Sequence, residues 1–488
     1  MRSLKSFTLA GFALLFGGSI SMAAGPAKLP KVAEGWKIEL VAEAPQILFP
    51  TAVVAASDGT IYLGQDPMDM PGPPTTPSDS VVALKDGKVR VFADGLWAVM
   101  GLEWIDGTLY VVHPPFLSAF TDTDGDGKAD KRVDLVTGLG PKIPGFSGIN
   151  DHVASGTRLA MDGFLYIAIG DKGIPKATGL DGKTITMKGG GVVRVRPNGS
   201  DLEIVSTGER NPLSVVLNNN DDVFTYGNDD DSKKWPNSFT HHIVGAHFGY
   251  PYEFLTAPWR TLPITAGQLG GSGTQGVFYG ETGLPPEYRG NLFFCDWALS
   301  TVFRYQIEEN GATFKLIKRA PIVEKGEMVD FRPFSVGLDA DRAGLLVVDW
   351  GYNNWLASGV QTGRLYRLTH TKMSIPTKPS GQPMTDLQSS SPILRMQAQR
   401  DLAKAGVGRE AELIRLLEAE GPATPRIHAL WALDAIGSPS GAAAIRNVFK
   451  TGDQLVRSQG AKRSGLRGDK EALTGLEALL ADRSPVVR

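Results

Sequence analysis

The chain has 488 residues, with 50 Lys and Arg against 52 Asp and Glu and a formal net charge of −2. That balance leaves no basic surplus for nucleic acid and no polybasic cluster for an anionic membrane. The single cysteine, Cys295, excludes an intrachain disulfide framework, and its place in Leu292-Phe293-Phe294-Cys295 reads as a buried strand rather than a reactive thiol.

Met1 to about Ala24 reads as a secretory signal peptide, with Arg2 and Lys5 ahead of the apolar run Phe7–Phe16 and small residues at Ser21-Met22-Ala23-Ala24. The expected address is periplasmic or secreted; the alternative is an uncleaved N-terminal anchor, although the apolar run is short for a span. From about Lys31 to His370 one theme repeats, an Asp-Gly turn followed by a short β-branched and aromatic run. Examples are Asp58-Gly59-Thr60-Ile61-Tyr62, Asp106-Gly107-Thr108-Leu109-Tyr110 and Asp162-Gly163-Phe164-Leu165-Tyr166. A spacing of about 50 residues is that of a four-stranded blade, and the region has room for about six. The fold class is therefore mainly β, a propeller over 31–370.

After Thr369 the texture changes. Residues 377–391 are rich in Pro, Ser, Gly and Gln and read as a linker. Over 392–488 the apolar spacing is helical, and Ser391-Pro392, Thr424-Pro425 and Ser484-Pro485 look like capped helix starts. The texture is that of HEAT-type repeats. The last start stands at the chain end and no capping repeat follows, so the natural protein is expected to continue. No Cys-x-x-Cys-His occurs in the chain.

Asp122-Thr123-Asp124-Gly125-Asp126-Gly127-Lys128-Ala129-Asp130 has the spacing of a calcium loop. Asp122, Asp124, Asp126 and Asp130 supply carboxylates, Lys128 its carbonyl, and Gly127 the sharp turn. Position twelve is Val133, not a bidentate Glu, so a shorter structural site is expected.

The densest chemistry lies between. Ile149-Asn150-Asp151-His152 precedes a strand that ends in Gly170-Asp171-Lys172-Gly173, and Glu209-Arg210-Asn211-Pro212 precedes Tyr226-Gly227-Asn228-Asp229. A base, a carboxylate partner and a fixed cation are what hydride abstraction needs. These fragments resemble the glucose/sorbosone dehydrogenase family, whose soluble members are quinoproteins on six-bladed propellers. They also resemble a larger bacterial family of secreted dehydrogenases, described as membrane-bound, that joins such a propeller to HEAT repeats and often a cytochrome c domain. The resemblance implies His152 as general base, Asp171 as its orienting partner, and Arg210 and Asn211 against a pyrroloquinoline quinone. It also implies Gly227 and Asn228 near a cofactor-linked calcium, with Asp229, Asp230 and Asp231 as further candidates, and Arg332 as one of two cofactor-binding arginines.

The chain departs from the pattern at Val153-Ala154-Ser155-Gly156, at Ala298 where a lysine is expected, and at Phe334 where a second arginine is expected; Lys142, Lys172 and Lys325 are candidate substitutes. Three functions stay open. One is a quinoprotein-like dehydrogenase of a sugar or related alcohol, passing electrons to a separate acceptor such as a cytochrome c. Another is a glycan- or protein-binding propeller whose HEAT repeats dock a protein partner. The third is a calcium-dependent lactonase-type hydrolase.

Overall fold

The computed structural model describes residues 28–67, 77–141, 152–228, 237–267, 269–352 and 361–488. Six sheets follow one another as the blades of a ring. Each blade begins at the axis. The innermost strands are Pro50–Ala55, Gly101–Ile105, Ala154–Leu159, Val216–Leu217, Gly273–Tyr279 and Pro333–Leu338. The ring is closed by the N-terminal strand Trp36–Glu43, which pairs antiparallel with Arg364–His370 on the edge of the sixth blade. A closed ring has no free sheet edge around its axis. The six-bladed, mainly β architecture expected from the repeat and the family resemblance is the one observed.

Tight turns set the blades. Asp106 and Gly107 have φ of 47° and 88° between Gly101–Ile105 and Thr108–His113, the conformation that Asp-Gly supplies in a two-residue hairpin. The second strands Ile61–Gln65, Leu165–Ile169 and Leu345–Asp349 are buried at every residue, which explains their unbroken apolar runs. Among the described residues the fourth blade has three strands; after Phe239–His242 the chain crosses to pair Ala246–His247 in parallel with the outer strand of the third blade.

This topology fixes where the site lies. Within each blade the first strand starts, and the second ends, at the same rim. Residues just before first strands and just after second strands therefore share one mouth, whatever their separation in sequence.

The opposite face carries the helices. Pro392–Ala405, Glu410–Glu418, Ala423–Ile436, Pro439–Asn447 and Gln454–Leu466 form their own apolar core, which reaches into the propeller at Met161, and Leu473–Leu479 follows them. Ser391 and Pro392 start a helix as expected, the Ser391 hydroxyl accepting from Leu394 N–H. Two expected starts differ. The helix near Thr424 begins at Ala423, preceded by Pro422, and Ser484-Pro485 leads into a turn. Ser438-Pro439 carries the same Ser-Pro signal and caps a helix outside the three expected starts, and Asp453 caps another without a following proline.

Residues 377–391 are not a loose spacer. They hold a short helix, Pro383–Asp386, and the Ser391 hydroxyl donates to Glu281 at 2.8 Å. Farther along, Gln399 and Gln459 donate to the carbonyls of Met161 and Asn220. Arg400 and Lys404 pair with Asp106, and Lys462 lies 3.1 Å from Asp162 and 3.7 Å from Asp221. Buried carboxylates paired with lysine make the helical segment part of the propeller's closed end. Among the described residues, no helix is long and apolar enough to cross a membrane.

Candidate functional site at the propeller mouth

His152 and Asp171 meet at the mouth of the third blade. His152 Nδ1 lies 2.5 Å from Asp171 Oδ1, and the two side chains are 18% and 24% exposed. A carboxylate only accepts, so Nδ1 carries the hydrogen and the lone pair falls to Nε2. The local sequence explains the placement. His152 adopts φ 59°, a left-handed conformation rare for a residue with a side chain. Its backbone lies on Gly170, where a Cβ would come within 2.3 Å of the His152 carbonyl carbon. Gly170 N–H donates to Val153 and Lys172 N–H to His152, so the turn Gly170–Gly173 cradles the histidine.

Arg210 enters the mouth just past Glu203–Glu209, the outer strand of the third blade, where the chain passes to the fourth. Its Nη1 donates to the Asn228 carbonyl at 2.9 Å, and Asn228 N–H donates to the Asn211 carbonyl at 2.9 Å. Gly227 N–H is taken by Ser238. Gly190 wedges between neighbouring strand ends of the third blade, since a Cβ there would lie 2.7 Å from the Ile169 carbonyl and 2.8 Å from that of Arg210. Asn211 is 2% exposed, and its Oδ1 has no hydrogen-bond partner among the described residues.

Arg332 lies at the mouth of the sixth blade. Its guanidinium sits 5.0 Å from the Trp297 ring and donates to Ser300, while its backbone N–H donates to Asp349. Its Nε is buried without a partner among the described residues, and burial holds its basicity below the usual value. Ala298 is exposed, and Phe334 packs into the core 5.9 Å from Trp350, so neither position offers a cation. Other cations nearby are already matched. Arg364 bridges Asp349 and Asp330 at 2.8 and 2.7 Å, and Arg319 lies 3.3 Å from Asp296. Of the candidate substitutes, Lys172 sits half-buried in the histidine's own turn and Lys325 is exposed. Lys142 and Asp229, Asp230 and Asp231 lie outside the described residues.

His152, Asp171, Arg210, Asn211, Gly227, Asn228 and Arg332 thus all stand at strand ends on the mouth side of the ring, with direct contacts between His152 and Asp171 and among Arg210, Asn211 and Asn228. The acidic loop is elsewhere, at the turn after Phe116–Thr121 on the face away from the mouth. There the carboxylate oxygens of Asp122, Asp124 and Asp126 lie within 4.8 Å of one another. Asp122 accepts from Gly125 and Gly127 N–H at 2.7 and 2.8 Å, which orders the loop. Asp130 stands outside these three convergent carboxylates and accepts from Thr123 N–H and hydroxyl. Lys128 lies 4.0 Å from Asp94 through its ammonium group. Three convergent carboxylates are an oxygen set of the kind calcium takes, remote from His152.

The family model described as a domain of unknown function (DUF7133) matches residues 27–357, and the chain belongs to that family. A HEAT-repeat model matches 410–488. No curated protein matches the chain by sequence. Among solved structures, the fold is similar to that of an oxidoreductase designated a glucose dehydrogenase from Thermus thermophilus. There the identity is 15% and the TM-score 0.51, covering 68% of this chain and 100% of that one. It is also similar to a PQQ-bound aldose sugar dehydrogenase from Streptomyces coelicolor, at 12% identity and TM-score 0.50, covering 70% and 99%. At such identities the likeness establishes the propeller fold.

Proposed function

We propose that this DUF7133-family chain is a dehydrogenase of a sugar or related alcohol, working outside the cytoplasm and handing electrons to a separate acceptor such as a cytochrome c. The observation that carries the reading is the His152–Asp171 pair, held on Gly170 at the open mouth of the ring. A substrate hydroxyl gives its proton to His152 Nε2 as the carbon-bound hydrogen leaves as hydride. Asp171 fixes the tautomer and stabilises the imidazolium that results. Arg210 supplies positive charge toward the oxygen on which negative charge develops.

Pyrroloquinoline quinone, when bound, is the hydride acceptor. Arg210, Asn211 and Arg332 would hold it, and the orphaned Nε of Arg332 and Oδ1 of Asn211 are the buried polar atoms such a group would satisfy. Ala298 and Phe334 withhold two cations, so the hold on a tricarboxylate is weaker than in the family pattern. Calcium at Asp122, Asp124 and Asp126 would have a structural role, given its distance from the mouth.

The test is reconstitution with calcium and the quinone, followed by a screen of aldoses with an artificial redox dye. Quinone-dependent dye reduction that disappears in His152→Ala is the expected result. Aldose binding with no dye reduction in the reconstituted wild type would instead support the binding-module reading.

A further inference from the structure

We infer that the lobe formed by residues 249–266 is a stacking platform for a carbohydrate chain, so that the substrate of the mouth is an oligosaccharide or glycan end rather than a free monosaccharide. The substrate half of this statement rests on the dehydrogenase reading; the binding half does not.

The lobe exposes large flat side chains. Trp259 is 79% exposed, Tyr252 73% and Leu255 64%, on two short helices, Glu253–Thr256 and Pro258–Arg260, and the residue before them. They are not the surface of a poorly packed loop. Beneath them Phe248 and Ala246 are buried, with Tyr250, Phe254 and Ile264 packed against them. Leu262 N–H closes the lobe on the His247 carbonyl at 2.8 Å. Rings held out on an ordered base bury apolar area only when something covers them.

The lobe belongs to the mouth. Phe248 and Tyr250 N–H donate to the Thr207 and Gly208 carbonyls, at the end of the strand that delivers Arg210. His152 stands at the innermost strand of that sheet, and the lobe follows its fifth, Ala246–His247. With strands about 4.8 Å apart, the two are separated by roughly 19 Å along the rim. The strand ends between them carry glycine at Gly170, Gly189 and Gly208, and the backbones of His152 and Gly249 pack closely on the first and last of these.

The polar neighbours select the occupant. His247 Nε2 lies 2.6 Å from Glu253 Oε2, and Arg260 lies 4.0 Å from the same carboxylate. The patch therefore combines flat aromatic faces with a near-neutral set of hydrogen-bonding groups. The C–H face of a pyranose stacks on the first and its hydroxyls bond to the second, as in sites that pair an apolar wall with a few placed polar groups. A sugar chain anchored there reaches inward along the glycine rim to His152.

The test measures binding of cello-, malto- and xylo-oligosaccharides of one to six units by calorimetry and by intrinsic tryptophan fluorescence, on the full chain. At least one series is expected to bind ten-fold or more tightly at four units than at one. Trp259→Ala should abolish that gain without changing the affinity for the single sugar or the melting temperature. Tyr252→Ala, a second exposed site, should reduce it in part. Equal affinity at all lengths, or a length gain untouched by Trp259→Ala, would overturn the proposal. So would Trp259-dependent sedimentation with phosphatidylglycerol vesicles in the absence of any oligosaccharide gain, which would assign the rim to a lipid surface. Length-dependent binding without dye reduction would leave the platform standing and remove the dehydrogenase.

Discussion

The third and sixth blades place a carboxylate at the same point, the mouth end of the second strand, and use it for opposite purposes. In the sixth blade Asp349 is fully buried. It accepts from the backbone N–H of Arg332 and Gly351 at 2.7 and 2.9 Å, and from Arg364 at 2.8 Å. In the third blade Asp171 is partly open to solvent and its partner is a histidine held in a strained conformation. Asp296 of the fifth blade follows the sixth, with Ser272 N–H, Leu299 N–H, the Tyr226 hydroxyl and Arg319 around it. The strand-end carboxylate is thus a device for tying loops, and in one blade its permanent cation is replaced by a titratable base. Acid–base chemistry needs such a group near water and able to change charge; a tie needs neither.

Replacing the two partners should therefore separate activity from stability. His152→Ala is expected to lower kcat of the reconstituted protein by about 10²–10⁴-fold, the usual worth of a general base, with a melting temperature near that of the wild type. Arg364→Ala leaves Asp349 and Asp330 without their cation and should cost about 3–5 kcal/mol of stability, since it breaks a buried pair; denaturant unfolding measures it. If His152→Ala unfolds the protein and Arg364→Ala leaves it intact, the contrast between the blades is wrong.

The contrast also bears on what could be read beforehand. The turns and the apolar runs after them are local, so five blades were legible residue by residue, and the count of six rested partly on the family resemblance. The pairing of His152 with Asp171 was visible only as two fragments, but ring closure brings strand ends together, and the fragments fell in the right places relative to strands. Asp349 and Arg364 carried no distinguishing signal, because an aspartate after an apolar strand looks the same whether it meets a histidine or an arginine. The docking of the helices was equally hidden. Residues 377–391 have the composition of a spacer, and Lys462 in a helix gives no sign that Asp162 and Asp221 lie beneath it. Glu281, buried against Ser391, likewise reads as an ordinary turn residue.

Two smaller effects sharpen the picture. Lys462→Met removes the cation that sits against Asp162 and Asp221 on the face away from the mouth. A loss of about 2–3 kcal/mol is expected, at the lower end for a buried pair because Lys462 keeps some exposure, with kcat of the surviving folded fraction unchanged. The smallest effect belongs to the acidic loop. Asp124→Ala should erase the calcium-dependent rise in melting temperature, which for binding at about ten times Kd corresponds to about 1.4 kcal/mol of added stability, and should leave catalysis at the mouth intact. Melting curves with calcium and with a chelator measure it, and their coincidence for the wild type would remove the calcium assignment.

The account turns on His152 acting as a base poised by Asp171, and kcat/KM of Asp171→Asn tests this most directly. For the quinone-reconstituted protein with a turned-over sugar, Asp171→Asn should keep its fold and lower kcat/KM by on the order of 10²–10⁴-fold, because the tautomer is no longer fixed and the imidazolium formed in the reaction loses its carboxylate. A folded Asp171→Asn protein with wild-type kcat/KM would contradict the assignment of this pair as the catalytic base.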